Sequence, residues 1–322
     1  MADAKKYGID RALDGPLTGL AFEHAFAGAP SFLKRRYARD AAGADLAVLG
    51  VPFDAAVSHR PGPRFGPRAI REASALQPCD PPWGWPYDPY EELRVVDAGD
   101  VGFDYAAVHD VPQRIQVRVA ELLGQGAGTL VLGGDHFVTL PILRAYAQAH
   151  GPLAVLQFDA HSDLWPDDDP SRIDHGTFLY KAVREELVDV PRSMQVGIRT
   201  ESGDRLGVPM ISAREVHERG VASVVEEVRR TVGDAPCYVT FDIDALDPSA
   251  APGTGTPVWG GLHAWQAQAI LRDLAGLRVL GGDVVEVSPP YDHGGITAVA
   301  GAHVATEIMC LFGWHRLGKG AP

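Results

Sequence analysis

Leu153-Ala-Val-Leu-Gln-Phe-Asp-Ala-His-Ser-Asp163 joins a continuous apolar run to a cluster of ionisable side chains. Two other stretches are built the same way: Thr129-Leu-Val-Leu-Gly-Gly-Asp-His136 and Cys237-Tyr-Val-Thr-Phe-Asp-Ile-Asp244. Such runs, apolar throughout rather than alternating, read as strands covered on both faces. Residues 46–50, 93–96, 194–198 and 278–285 have the same character. Between many of these runs the period changes to that of a helix, at 112–123, 140–149, 177–186, 221–232, 264–274 and 297–312. Strand–helix alternation predicts an α/β fold with a parallel sheet and helices on both faces. No internal repeat or Gly/Ser/Pro-rich linker divides the chain, so one domain is expected from residue 41 to 322. Residues 1–40, punctuated by Gly15-Pro16, Gly28 and Pro30, read as an irregular arm. Lys34-Arg35-Arg36 within it reads as a solvated turn, and the patch at 78–89, with Trp83 and Trp85, as an ordered surface loop.

Composition narrows the classes. The 322 residues carry a net charge of −13, which disfavours nucleic acid and anionic membrane surfaces as partners. No apolar run in the sequence approaches the roughly 18 residues of a membrane span, and residues 1–10 lack an apolar signal core. The three cysteines, Cys79, Cys237 and Cys310, are widely spaced and form no CxxC pair. A reducing cytoplasm fits that usage better than a disulfide framework.

In an open parallel sheet, ligands bind beyond the carboxyl ends of the strands. Each ionisable cluster falls at such an end. Strand side chains alternate faces, so Asp159, His161 and Asp163 point one way while the chain stays extended, as do Asp242 and Asp244. Four carboxylates brought together repel unless cations compensate them. Two divalent ions balance four Asp, with His136 and His161 as neutral nitrogen donors. Mixed imidazole and carboxylate donors suit Mn²⁺, Ni²⁺, Fe²⁺ or Zn²⁺ better than Ca²⁺. Two such ions about 4 Å apart can lower the pKa of a water towards neutrality.

At these residues the sequence resembles the ureohydrolase family of arginases, agmatinases and related amidinohydrolases. The likeness extends through Gly50-Val-Pro-Phe-Asp54, Arg60-Pro-Gly-Pro-Arg-Phe-Gly-Pro67, Val95-Val-Asp-Ala-Gly-Asp100 and Gln195-Val-Gly-Ile-Arg199. It continues in Ala251-Pro-Gly-Thr-Gly-Thr-Pro257 and Asp283-Val-Val-Glu-Val-Ser-Pro289. The resemblance implies a single three-layer α/β/α catalytic domain around about eight strands, with a binuclear centre of Mn²⁺, or alternatively Ni²⁺. It implies one ion on His136, Asp159, Asp163 and Asp242, and a second on Asp159, His161, Asp242 and Asp244. It further implies His175 as a proton-transferring residue, Glu286 as the carboxylate that holds a guanidinium, and Asp163 as a proton relay. The implied reaction is hydrolysis of a guanidino compound to urea and an amine.

Within the family the chain looks closest to agmatinases, through Gly133–Pro141 and Gly253–Val258, while Phe26-Ala-Gly-Ala-Pro-Ser-Phe-Leu33 resembles the N-terminal segment that agmatinases share with guanidino-acid hydrolases. Agmatine, giving putrescine, is therefore the leading substrate. Asp167-Asp168-Asp169 is a candidate receptor for its distal ammonium. Three residues depart from the agmatinase pattern. Leu164 and Trp165 stand where polar Thr and Tyr are usual, and Trp259 where a smaller residue is. They predict an apolar pocket wall that suits an N-alkylated guanidine or biguanide such as metformin. Asp292-His293-Gly294-Gly295, a further departure, looks closer to guanidino-acid amidinohydrolases and keeps guanidinobutyrate and guanidinopropionate as alternatives. The family also implies a homo-oligomer, trimer or hexamer. A reading of another class is a non-catalytic subunit in a hetero-oligomer with a paralogue. A single-zinc deacetylase, sharing the fold, is a further alternative that metal counting separates.

Overall fold

The computed structural model describes residues 9–10, 21–22, 24–77 and 80–320. Much of the 1–40 arm, together with Pro78 and Cys79 of the 78–89 patch, lies outside the described residues. Two short strands, β1 (Ile9–Asp10) and β2 (Ala21–Phe22), pair antiparallel. The main sheet comprises β3 (Arg36–Tyr37), β4 (Leu46–Gly50), β5 (Val95–Asp100), β6 (Gly128–Leu132) and β7 (Ala154–Phe158). It is completed by β8 (Met194–Ile198), β9 (Met210–Ser212), β10 (Cys237–Asp242) and β11 (Val279–Val285). All nine are parallel, in the order β3-β5-β4-β6-β11-β10-β7-β8-β9. Each of the seven apolar runs read from the sequence forms a strand. The two additional strands, β3 and β9, are edge strands of two and three residues, too short for a periodicity to register.

Helices α3 (Val111–Gly124), α4 (Thr139–His150) and α5 (Phe178–Arg184) cover one face of the sheet. The other face carries α1 (Gly66–Ser74), α6 (Ala213–Arg219), α7 (Val221–Val232), α8 (Ala264–Asp273) and α9 (Ile296–Arg316). A one-turn helix, α2 (Pro89–Glu92), precedes β5. Alternation along β4 feeds both layers: Leu46 and Val48 enter one core, Ala47 and Leu49 the other. Burying both faces is what required the runs to be apolar throughout.

Helix α9 corrects the expectation that no stretch reaches membrane length. Its 21 residues have a mean hydropathy of 1.5, but 78% of the apolar window is buried inside the protein. It packs against β11, α1 and α8. Glu307 on it pairs with Arg272 at 2.7 Å, as suits a core helix. The basic turn is also corrected. Lys34 and Arg35 are buried, Lys34 Nζ donating to the Ala27 carbonyl and Arg35 Nη1 to the Tyr90 carbonyl at 3.0 Å. The Arg35 guanidinium lies over the Tyr90 ring, 5.0 Å from its centroid. Long basic side chains bury when backbone oxygens and an aromatic face receive them.

The strand order places the site. β6 and β7 follow each other in sequence, yet β11 and β10 lie between them in the sheet. The four central strands are therefore β6, β11, β10 and β7, and their carboxyl ends carry His136, Glu286, Asp242 and Asp159.

Candidate metal centre and its pocket

After β6 the chain turns through Gly133-Gly134 into a short 3-10 turn at His136–Val138. The turn lies hard against the Val51–Phe53 segment. A Cβ at position 134 would stand 1.7 Å from the Phe53 carbonyl oxygen, so only glycine fits. This close approach brings His136 inward. Its Nδ1 lies 3.0 Å from Asp159 Oδ2, 3.0 Å from Asp163 Oδ2 and 3.2 Å from Asp242 Oδ2. Phe178 stacks on the His136 ring at 4.2 Å and fixes its plane.

The exit of β7 supplies the link between two clusters. Asp159 turns Oδ2 to His136 Nδ1, while its Oδ1 lies 3.5 Å from His161 Nδ1. Asp244 Oδ2 is 3.1 Å from the same His161 nitrogen. His136, Asp159 and Asp163 thus form one convergent set, and Asp159, His161 and Asp244 another. Asp159 belongs to both. Asp242 adjoins the first through Oδ2, while its Oδ1 accepts the Asp244 N–H at 2.8 Å. Asp163 holds a φ of +49°, a left-handed conformation that β-carbon sterics disfavour. Such strain, about 1–3 kcal/mol, collects where the surroundings fix a residue for function.

Electrostatics show that this cluster needs positive charge. Burial raises the Asp163 carboxyl to about 7, aided by the Asp159 charge. Burial likewise pushes Asp242 well above the carboxylate range, with Asp244 and Asp159 adding to it. For His161 burial works against protonation, but Asp244 and Asp159 outweigh it and lift the ring to about 12. His136 rises against burial for the same reason, through Asp159, Asp163 and Asp242. Left to itself the cluster gathers protons. Nevertheless His136 Nδ1 is buried and has no hydrogen-bond partner, although three carboxylate oxygens surround it. An imidazole nitrogen with no hydrogen-bond partner, facing three carboxylate oxygens, fits a divalent cation.

Glu286 follows β11 with a φ of +61°. That turn brings Oε1 to the His136 N–H at 3.0 Å and to His175 Nδ1 at 2.8 Å. Its Oε2 is buried and has no partner. Gly255 leaves room there, since a Cβ would stand 3.4 Å from Oε2. His175 opens a 3-10 turn capped by Asp174, whose side chain accepts the Gly176 N–H. Burial lowers the His175 pKa, but the Glu286 carboxylate overrides it and raises it to about 9. Nδ1 donates to Glu286, and Nε2 faces Ser58 at 2.8 Å to Oγ and 3.2 Å to the backbone nitrogen. The Ser58 N–H calls for a lone pair on Nε2, whereas the carboxylates favour a proton there. We therefore read Nε2 as the exchangeable position and Nδ1–H as fixed.

A pocket of about 410 Å³ opens onto these groups. His136, His161, Asp163, Asp242 and His175 form its floor, and Trp165, Pro166, Arg172, Asp174, Thr200 and Thr256 contribute walls. Glu286 is not among the lining residues, but its Oε1 contacts two that are, His136 and His175. Of the three residues expected to line an apolar wall, only Trp165 does so. Leu164 is 0% exposed and packs in the core with α3–α5, because the left-handed turn at Asp163 sends it inward. Trp259 is 87% exposed and outside the pocket. The acidic run is engaged elsewhere. Asp167 pairs with Lys181 at 2.9 Å, Asp168 accepts the Tyr180 hydroxyl, and Asp169 caps Ser171. Arg172 is a charged wall residue the sequence did not reveal. Its side chain, 60% exposed, pairs with Asp174 at 3.1 Å. Ser58, Thr200 and Thr256 were missed as well, although Thr256 lies in a segment already quoted for its resemblance.

The arginase family model matches residues 44–311. A protein of Chromobacterium violaceum named agmatinase is 49% identical over 312 residues, covering 97% of each chain. The solved structure of a hypothetical agmatinase from Burkholderia thailandensis superposes with a TM-score of 0.93 at 46% identity, covering 97% of this chain and 99% of that one. The proclavaminate amidino hydrolase of Streptomyces clavuligerus gives a TM-score of 0.87 at 38% identity, covering 91% and 100%.

Proposed function

This chain belongs to the arginase family, and we propose that it hydrolyses agmatine to urea and putrescine. Its class is that of an amidinohydrolase acting on C–N bonds. The observation that carries the reading is the pair of histidine–carboxylate clusters sharing Asp159 beneath one pocket. The first ion would be held by His136, Asp159, Asp163 and Asp242, the second by Asp159, His161 and Asp244, with Asp242 as its neighbour. We assign Mn²⁺, with Ni²⁺ as the alternative the same donors admit. When bound, the ions cancel carboxylate charge and activate a water for attack.

The protein's own groups do the rest. Glu286 Oε2, unpartnered and buried, accepts an N–H of the guanidinium and orients its carbon. Water oxygen bonds to that carbon, and the bond to the alkyl nitrogen breaks. His175 Nε2 gives that nitrogen a proton, and its pKa of about 9 keeps the proton available at neutral pH. Asp163 receives one of the two protons that water loses and passes it to the amine. The other leaves the oxygen as urea forms and restores His175, so that the amine departs as the ammonium. The Asp163 carboxyl is among the groups nearest the pocket floor. Trp165 and Pro166 shield the reacting end from solvent.

Arg172 favours a second reading, in which a guanidino acid such as 4-guanidinobutyrate presents its carboxylate to the pocket mouth. Urea release separates the two. Protein loaded with Mn²⁺ or Ni²⁺ is offered agmatine, 4-guanidinobutyrate, 3-guanidinopropionate, arginine and dimethylbiguanide. Agmatine should have the highest kcat/KM. Preference for a guanidino acid selects the second reading, and no urea from any of them refutes both. The acidic composition and two buried free thiols support a cytoplasmic setting. A homo-oligomer, trimer or hexamer, completes the proposal, and light scattering checks it.

A further inference from the structure

β10 and β11 pair with Thr240 opposite Asp283. That register builds a relay behind His136, away from the pocket. The Asp283 carboxylate is fully buried and accepts three hydroxyl protons. Thr240 Oγ1 donates to Oδ1 at 2.6 Å, while Tyr238 Oη and Thr139 Oγ1 donate to Oδ2 at 2.9 Å each. Two donors come from β10 and one from the first residue of α4, so the arrangement ties together three elements that carry the site.

A hydroxyl has one proton. The proton of Thr240 is committed to Asp283, so its oxygen meets His136 Nε2, at 2.9 Å, only as an acceptor. Nε2 must then carry the hydrogen. The bare lone pair of a neutral ring falls on Nδ1, the nitrogen that faces Asp159, Asp163 and Asp242. None of Thr240, Asp283, Tyr238 and Thr139 lines the pocket. His161 has no such connection: its Nδ1 faces Asp159 and Asp244, and Asp283 is not among its partners.

We propose that Thr240 and Asp283 are positioning residues for one metal ion of the pair. They hold His136 as the Nε2–H tautomer, aim Nδ1 at the carboxylates and strengthen it as a donor. They thereby set the affinity of the ion at His136 and leave the ion at His161 and Asp244 unaffected. The inference rests on the two-ion reading of the site but not on the identity of the substrate.

The test is metal binding by the whole chain, read by Mn²⁺ titration calorimetry and by the electron paramagnetic resonance of the bound manganese. Thr240→Val is close to isosteric and leaves Nε2–H facing a methyl group. It should weaken one ion 10–100-fold, the usual consequence of losing an outer-shell partner, and leave the other within threefold of wild type. The spectrum should change from coupled manganese to a single isolated ion. Thr240→Ser restores the acceptor and should restore both ions. Asp283→Asn still accepts from Thr240 but removes the charge, and should weaken the same ion by a smaller factor. Both ions retained in Thr240→Val, equal weakening of both, or no rescue by serine overturns the proposal. Fewer than two ions on the wild-type chain overturns the two-ion reading along with it. Two ions without urea release from agmatine counts against the substrate alone.

Discussion

Replacing Glu286 by Gln removes one charge from the centre of the hydrogen-bond arrangement with almost no change in volume. In the wild type, Oε1 accepts from the His136 N–H and from His175 Nδ1, and Oε2 is buried without a partner, the atom proposed to receive the substrate. Glutamine keeps an oxygen for the two internal donors. Its amide group then takes the place of Oε2 and presents N–H groups to a guanidinium that has only N–H groups to offer. A hydrogen bond to a charged group contributes about 1.5–3 kcal/mol, and an unmatched buried polar group costs a further 1–3 kcal/mol or so. The loss is about 2.5–6 kcal/mol, or roughly 60- to 20,000-fold in kcat/KM at about 1.4 kcal/mol per decade. A second effect follows from charge. Glu286 is the largest influence raising His175, so without it the pKa falls from about 9 towards the ordinary histidine range. The assay is steady-state urea release from agmatine between pH 6 and 10, with metal content measured in parallel. A kcat/KM within threefold of wild type and an alkaline limb that has not moved would refute the reasoning.

The wild-type enzyme should lose activity as pH rises through about 9, where His175 gives up the proton that the leaving amine needs. A pKa raised in the fold also stabilises, fully below the unfolded value of about 6.5 and no longer once pH has passed about 9; His175→Asn should abolish that limb in a pH–rate profile. Arg172→Ala removes the cation that competes for Asp174 at the pocket mouth, so KM for agmatine should fall several-fold while KM for 4-guanidinobutyrate rises, and unchanged values for both would remove Arg172 from specificity. Trp165→Ala should raise KM for agmatine at least threefold because it removes a wall, whereas Trp259→Ala, at a side chain projecting into solvent, should leave kcat and KM within twofold.

The sequence by itself determined which apolar runs become strands and which ionisable groups stand at their carboxyl ends. Both signals are local. A run such as Leu153–Phe158 must be apolar throughout because both sheet faces are covered, and its exit must carry the acidic groups because that is where the chain leaves the sheet. Asp159, His161 and Asp163 were therefore legible together, as were Asp242 and Asp244, and their joint repulsion already called for cations. The tertiary structure alone decided what meets what. Only the insertion of β11 and β10 between β6 and β7 brings His136 to within 3.2 Å of Asp242, more than a hundred residues away. Only the left-handed turn at Asp163 sends Leu164 into the core and leaves Trp165 on the wall. The acidic run at 167–169 reads as a free receptor in one dimension, yet Lys181 and Tyr180, a helix away, occupy it. Arg172 carries no signal in the chain, because a lone arginine in a polar loop has no period and no motif. Periodicity and strand-exit chemistry act over a few residues and survive in one dimension. The direction of a side chain after a strained turn, and the partner that reaches it first, depend on contacts between segments that the chain alone does not order.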